Sequence, residues 1–356
     1  MLSRAWMEVD LAALVRNAAA LRDRAGVPLI PMVKADAYGL GAIQVAHALE
    51  QLDPHGFGVA TVAEGAELRA AGIVRPIILF SPLLPEEMGA ANVARLTPTL
   101  GSAEEIAAWK AYGGPYHLSI DTGMSRAGVP WREMGALAGV IADHPPEGAF
   151  THFHSAQLDD GSMELQESRF REALATLALG PALLHTDNSA AIVRHGRSPW
   201  NAIRPGIFLY GVGSSESAAL QPECVVHVRA RIVEMRWVEA GDTVSYDATW
   251  TAAGRRLIAT VPAGYADGYP RGASNAGRVL VRGYPAPIAG RVTMDMIMLD
   301  VTDSGAEVGD VVTLVGDGSA SKAPVDVASV AAIAGLSPYE LLTGLRGRLT
   351  RVYRGQ

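Results

Sequence analysis

Lys34 stands directly after the apolar run at residues 28–33, a place where a lysine is chemically out of keeping. A buried ammonium has to be neutralised, paired or used covalently, because an unpaired charge in an apolar setting is too costly to keep. Two readings follow from position alone and both stay open: a Schiff-base lysine of depressed pKa, or a lysine whose head escapes to the rim along its methylenes. Other reactive side chains also follow apolar runs. His152 and His154 end the run at 149–153, the TDNS stretch from Thr186 to Ser189 follows 182–185, and Arg204-Pro205-Gly206 interrupts 202–209. The histidines form no HExxH or other metal spacing, and His152-x-His154 on a strand puts both rings on one face, which reads as hydrogen-bonding core histidine rather than a metal pair. No GxSxG elbow, GxxxxGK loop or strand-linked GxGxxG is present, and the acidic pairs Glu86-Glu87 and Asp159-Asp160 read as solvated faces.

These residues need elements to hold them, and the hydrophobic pattern supplies a set. Strand-like runs at 28–33, 56–61, 76–80, 96–100, 116–120, 149–153, 182–185 and 202–209 alternate with helical spacing at 63–71, 103–111, 131–142 and 163–178. An open doubly wound sheet gives a similar pattern, but eight such units predict a (β/α)8 barrel of the TIM type, whose chemistry sits at the C-terminal ends of the strands. After Gly213 the grammar changes to alternating, Val- and Ile-rich runs at 224–238, 256–262, 278–283, 287–301 and 311–316, divided by glycine and proline turns, which predicts a mainly antiparallel β domain. The expected division is 1–215 for the barrel and 216–356 for the β domain.

Composition narrows the function classes. The chain has 356 residues, 49% of them hydrophobic and 19% charged, which fits a well-buried protein of two domains rather than a disordered one. A net charge of −7 is the wrong sign for binding a phosphate backbone, so no nucleic-acid partner is expected. Cys224 is the only cysteine, so one chain cannot build a disulfide or a thiolate cluster, and a reducing compartment fits. Arg4, Glu8 and Asp10 interrupt the N-terminal segment, and no run of the length needed to span a bilayer is free of charge or Gly/Pro punctuation. A cytoplasmic protein with no membrane partner and no metal is the expectation.

At the level of motifs the chain resembles the alanine racemases, fold-type III enzymes that use pyridoxal 5′-phosphate. VKADAYGLGA at 33–42 is similar to their cofactor-lysine signature. DTGMSRAG at 121–128, THF at 151–153, NSA at 188–190, RPGIFLYG at 204–211, GDTVSY at 241–246, AGYADGYPR at 263–271, GRVTMD at 290–295 and PYE at 338–340 follow in the family's order, over nearly the whole chain. The resemblance implies interconversion of L- and D-alanine, with D-alanine supplied for peptidoglycan, by a homodimer whose active sites are shared between subunits. It implies that Lys34 holds the cofactor covalently and is one base, with Tyr246 of the partner subunit as the other, since inverting an α-carbon takes a base on each face. Arg204 would face the pyridine nitrogen, and because a guanidinium has no acceptor that nitrogen would stay unprotonated, which favours racemisation over transamination. Tyr38, Ser189, the backbone amides of Gly206 and Ile207, and Tyr339 would hold the phosphate. Arg126 would meet the cofactor's phenolic oxygen and the substrate carboxylate, helped by the Met294 backbone of the partner subunit, and His152 would link Tyr246 to Arg204.

The chain departs from the family at several positions. Ser119 stands where many members have a lysine, often carbamylated, that positions the arginine matching Arg126; Asp247 replaces a glycine, Asp187 an alanine, and His154 follows Phe153 where alanine is common. These leave substrate breadth open. A serine or broad-specificity racemase keeps the same lysine, tyrosine and arginine, a decarboxylase of the same architecture pairs an acid with the pyridine nitrogen and so disagrees with Arg204, and a non-catalytic pyridoxal-phosphate-binding barrel protein lacks a β domain.

Overall fold

The structure, a computed structural model, describes residues 4–177, 179, 182–215, 218–316, 324–345 and 347–355. Its first half is built on a parallel sheet in the order Phe57–Val59, Ile77–Leu79, Thr97–Leu100, His117–Asp121, Gly148–Phe150, Leu183–His185. The first two of these strands are buried along their whole length, as parallel strands covered on both faces must be. Residues 28–33 and 202–209, expected as two further strands, close the ring through single contacts instead of ladders, and the second gives way to a 3₁₀ turn at Ile207–Tyr210. Leu29 bridges Ile203, Met32 bridges Gly58, and the Ile30 and Met32 N–H groups donate to the Ile203 and Pro205 carbonyls at 2.8 and 2.9 Å. The Asn201 N–H reaches the Leu184 carbonyl at 3.1 Å on the other side. Pro31 and Pro205 have no N–H to give, so the pairing breaks where the chain turns toward the cavity. The barrel expected from the alternation is present, with two of its staves irregular.

Outer helices start where the sequence offers caps. Thr61 and Glu64 form a capping box before Val62–Ala70, Ser102 caps Ala103–Lys110 and Asn188 caps Ser189–His195. The helix expected at 131–142 is a 3₁₀ stretch, Trp131–Leu137, followed by a short helix, Ala138–Asp143; Gly135 and Gly139 weaken a continuous one. The helix expected at 163–178 runs Ser162–Thr176, and residue 178 lies outside the described residues.

The second half carries a six-stranded sheet and a three-stranded one. The larger is ordered Tyr284–Pro287, Arg278–Val281, Val311–Val315, Val226–Arg231, Ala5–Asp10, Thr350–Arg354, and the smaller Glu234–Val238, Arg256–Val261, Ile297–Asp300. Val226, Val228 and Ala230 point inward and their neighbours outward, the period of a one-sided sheet. Ala5–Asp10 pairs antiparallel with Val226–Arg231 and parallel with Thr350–Arg354, and Asp10 then caps the helix Leu11–Ala25, with Ala13 N–H donating to its carboxylate at 2.8 Å. The chain therefore leaves the β half and enters the barrel within one residue. Of the run expected at 287–301, two short strands form at its ends, and the left-handed turn at Gly290 opens a loop that carries Met294. Among the described residues no single helix is long and apolar enough to cross a membrane.

Candidate active site

A cavity of about 680 Å³ opens at the C-terminal ends of the parallel strands, and Lys34, Tyr38, Arg126, His152, Ser189, Arg204, Gly206, Ile207 and Tyr339 all line it. Lys34 is brought there by an abrupt change of backbone. The four residues after it, Ala35, Asp36, Ala37 and Tyr38, each have φ between 52 and 56°, a left-handed turn made without glycine. Such residues cost about 1–2 kcal/mol each, so the turn persists only because its surroundings hold it. Ala35 N–H donates to the Glu64 carboxylate at 2.8 Å, Ala42 N–H to Asp36 at 2.8 Å, and Asp36 pairs with Arg351 at 2.6 Å. The result is that Lys34 and Tyr38, at the two ends of the turn, both line the same cavity.

Burial is the main cause that lowers the Lys34 pKa, with the Arg126 charge adding to it, Glu64 opposing and Arg204 adding again. Lys34 lines the cavity rather than escaping to the rim, and a lowered pKa favours the amine form that acts as a nucleophile. Arg204 is only 4% exposed. Its Nη1 donates to His185 Nδ1 at 2.7 Å and to the His185 carbonyl, and its Nη2 donates to the carbonyls of Thr151 and Thr186 at 2.8 and 3.1 Å. The rings of Phe150 and Phe80 lie 5.0 and 5.6 Å from its guanidinium carbon. Burial pushes its pKa down to about 9, which leaves it charged at neutral pH. Its Nε makes no hydrogen bond among the described residues, so one N–H of a fixed guanidinium is left for whatever fills the cavity.

The far wall is a set of donors. Ser189 Oγ accepts from the N–H groups of Gly206 at 2.9 Å and Phe208 at 3.4 Å, and a 3₁₀ turn, Ile207–Tyr210, starts beside them. A Cβ on Gly206 would fall 2.5 Å from the Tyr38 hydroxyl, so a side chain is excluded there and the backbone comes close to the phenol. Tyr38 is wedged between Tyr210 and Tyr339, with ring centroids 4.6 and 6.0 Å away. Burial drives the Tyr38 pKa well above its ordinary value, which keeps its hydroxyl a donor.

Several expectations meet a different arrangement. His152 lines the cavity, but its ring makes no hydrogen bond among the described residues; Arg204 uses His185 instead, so the expected His152–Arg204 link is absent. Burial, with Arg204, Arg126 and Lys34 nearby, pushes the His152 pKa down to about 3 and keeps it neutral. Tyr246 and Met294 do not line this cavity. Tyr246 is 70% exposed, Met294 is 52% exposed, and Tyr246 lines a separate cavity of about 570 Å³ in the β half. Tyr246 sits among left-handed residues, Ser245, Asp247 and Ala248, and Asp247 is tied to Arg291 at 2.6 Å. Arg126 makes neither a hydrogen bond nor an ion pair among the described residues, and Ser119 and His154 line the cavity beside it. Sequence reading missed the pair behind Arg204: His185 Nε2 lies 2.7 Å from Nδ1 of His117. Both histidines are on parallel strands, and the signal for them was a polar residue inside an otherwise apolar run.

Comparison with known proteins places this geometry among relatives. The family model for the alanine racemase N-terminal domain matches residues 9–214, and that for the alanine racemase C-terminal domain matches 225–353. Alanine racemase of Citrifermentans bemidjiense is 39% identical over 98% of this chain and 98% of its own. That of Geobacter sulfurreducens is 40% identical over 97% and 96%. The crystal structure of alanine racemase from Bartonella henselae with covalently bound pyridoxal phosphate superposes with a TM-score of 0.90 at 30% identity, covering 99% of both chains. That from Bacillus anthracis with bound L-Ala-P gives 0.90 at 30%, covering 100% of this chain and 96% of the other.

Proposed function

The chain belongs to the alanine racemase family, and on that premise we propose that it interconverts L- and D-alanine with pyridoxal 5′-phosphate, using Lys34 and the partner subunit's Tyr246 as the two bases. The observation that carries this reading is the convergence, in one cavity, of a half-buried lysine of lowered pKa, a buried arginine with a free N–H among the described residues and a donor-lined pocket beside Gly206. The residues present fit the cofactor. The Gly206 approach leaves room for backbone and hydroxyl donors and none for a side chain, which suits a phosphate held by Tyr38, Ser189, Tyr339 and the amides of Gly206 and Ile207. When bound, pyridoxal phosphate supplies an electron sink that makes the α-proton of an amino acid acidic.

The chain's own groups then divide the work. Lys34 Nζ holds the cofactor covalently and exchanges a proton on one face of the α-carbon, burial shifting it toward the amine form. Arg126, which has no counter-ion among the described residues, receives the substrate carboxylate, which supplies that negative charge. Arg204 turns its Nε–H to the ring nitrogen; having no acceptor and staying charged, it keeps that nitrogen unprotonated. The proton on the opposite face is exchanged with the hydroxyl oxygen of the partner subunit's Tyr246, which takes it as the phenolate and gives it back as the phenol. In its own chain that phenol is exposed and lines a different cavity, which supports its serving a second copy in a homodimer. In this division residues 1–215 hold the cofactor with Tyr339 reaching in from 216–356, which also supplies the second base and Met294 to the partner. The same reading has the protein act in the cytoplasm, with D-alanine going to peptidoglycan.

A racemisation assay with added pyridoxal phosphate on L-alanine, L-serine and a panel of other L-amino acids tests it. Loss of optical activity from L-alanine, dependent on the cofactor, is the expected result. Turnover of serine in preference to alanine would replace alanine as the substrate, and no racemisation of any member would overturn the reading.

A further inference from the structure

Glu64 does more than cap its own helix. Thr61 Oγ1 accepts from the Glu64 N–H at 3.2 Å and one Glu64 oxygen accepts from the Thr61 N–H at 3.2 Å, which is an ordinary capping box. The same oxygen also accepts from the Ala60 N–H at 2.7 Å, and the other leaves the helix for the Ala35 N–H at 2.8 Å, 29 residues away in sequence. That amide belongs to the planar peptide unit that follows Lys34, so holding it fixes how the chain leaves the Lys34 Cα and where the side chain sets out. On the other side of the lysine, the Val33 N–H donates to the Gly58 carbonyl at 2.8 Å. Lys34 is therefore tied, before and after, to the end of the one neighbouring strand, Phe57–Val59.

The two ends of the left-handed turn after Lys34 are held differently. The far end is packed: Ala37 and Tyr38 are buried, a Cβ on Gly39 would fall 2.7 Å from the Leu342 carbonyl oxygen, and the Tyr353 hydroxyl donates to the Leu40 carbonyl at 3.0 Å. The near end has no such support. Ala35 is exposed, and with Asp36 and Glu64 it lines a second cavity of about 300 Å³, so open room lies where packing would otherwise confine it. Asp36 is committed to Arg351 and to the Ala42 N–H. Among the described residues the Glu64 carboxylate is the one group that bonds the Ala35 amide. A run of non-glycine residues at positive φ relaxes unless it is held, and at the lysine end the hold is this carboxylate.

We propose that Glu64 is a positioning residue for Lys34: by bridging the Ala35 and Ala60 amides it holds the lysine end of the turn, so that Nζ is presented to the cavity for capture of the cofactor. The proposal rests on the reading of Lys34 given above. In that capture the Lys34 amine condenses with the cofactor aldehyde, a C=N bond replacing C=O as one water leaves. The Glu64 charge by itself works the other way, since it opposes the lowering of the Lys34 pKa and so disfavours the free amine. Removing the charge alone would speed capture, whereas removing the tether slows it.

The experiment uses the full-length chain stripped of cofactor and reloaded with pyridoxal 5′-phosphate or with pyridoxamine 5′-phosphate. The second carries the same ring and phosphate but an amine in place of the aldehyde, so it binds without a bond to Lys34. Glu64→Ala is expected to slow covalent capture, followed by absorbance, and to weaken pyridoxal phosphate about tenfold each, while pyridoxamine phosphate changes by less than about twofold. In a Lys34→Ala background the loss from Glu64→Ala should vanish for pyridoxal phosphate as well. Thr61→Ala is the control for the helix cap: it should cost about fivefold in the unfolding equilibrium and leave the capture rate within about twofold. Equal weakening of both ligands, a loss that persists without Lys34, capture that is unchanged or faster, or capture slowed as much by Thr61→Ala would each overturn the proposal. If Glu64→Ala does not fold, Glu64→Gln carries the same comparison, since an amide has one acceptor oxygen and cannot serve both Ala35 and Ala60. An unsubstituted chain that captures no cofactor on Lys34 would sink the functional reading and this proposal together, whereas normal capture that Glu64→Ala leaves untouched sinks the proposal alone.

Discussion

Replacing Gly206 by alanine tests the cofactor cradle at its narrowest point. The new Cβ would lie 2.5 Å from the Tyr38 hydroxyl oxygen and 3.4 Å from the ring carbon that bears it. An ordinary contact needs about 3.4 Å, so the hydroxyl has to retreat by roughly 0.9 Å. Tyr38 cannot swing aside freely, because Tyr210 and Tyr339 flank its ring. A hydrogen bond of about 2.7 Å stretched by that distance is no longer one. A hydrogen bond to a charged group contributes about 1.5–3 kcal/mol, so Gly206→Ala should weaken binding of pyridoxal phosphate by roughly ten- to a hundredfold. Titrating the cofactor-free protein and following absorbance gives the dissociation constant directly. Tyr38→Phe removes both the bond and the clashing atom, so in that background Gly206→Ala should cost less than about threefold more. An equal loss from Gly206→Ala in the Tyr and Phe backgrounds would refute the reasoning, since the damage would then not pass through the phenol.

Borohydride reduction of the holoprotein followed by peptide mapping should place the cofactor on Lys34, and Lys34→Ala should abolish the adduct; an adduct on Lys110 or Lys322 instead would reject the assignment. Mixing Lys34→Ala with Tyr246→Phe under subunit exchange should restore about a quarter of wild-type activity, because half of randomly paired dimers hold one intact shared site of two. No recovery despite exchange shown by tags would put both bases in one chain. Stability should fall steeply with acid: His117 and His152 have folded pKa values near 3 and His185 is also lowered, so below about pH 6.5 the unfolded chain binds protons that the folded chain refuses. Each such group removes about 1.4 kcal/mol per pH unit over that window, and His117→Gln should flatten the dependence of urea unfolding on pH by about one proton. An unchanged slope would mean that His117 is protonated in the fold.

The sequence made the residue types of the candidate site legible before it made their geometry legible, and the reason is visible residue by residue. Lys34, Ser189, Arg204 and Gly206 could be found because each breaks a local pattern: a charge or a polar group following an apolar run carries its own signal. The barrel was legible for the same kind of reason, since burial on both faces of strands such as Phe57–Val59 and Ile77–Leu79 writes unbroken apolar runs. The turn at Ala35–Tyr38 left no trace, because alanine and tyrosine are not the residues that announce positive φ; its conformation is held by Glu64 and Arg351, which are distant in sequence, the latter through the Asp36 side chain within the turn.

His185 and His117 were overlooked for a complementary reason. A histidine within a strand reads as an isolated polar residue until the register of three strands sets His117 beside His185 and His185 beside Arg204. That register also orders the protons. Arg204 can only donate, so Nδ1 of His185 must accept and its Nε2 must carry the hydrogen, which then points at Nδ1 of His117. One arginine at the cavity thereby fixes the tautomers of two histidines reaching into the barrel interior, and both must stay neutral for the chain to hold. The same buried polarity that orients the guanidinium toward the cavity is what makes the fold sensitive to acid, so substitutions that relieve the acid sensitivity at His185 should loosen Arg204 at the same time.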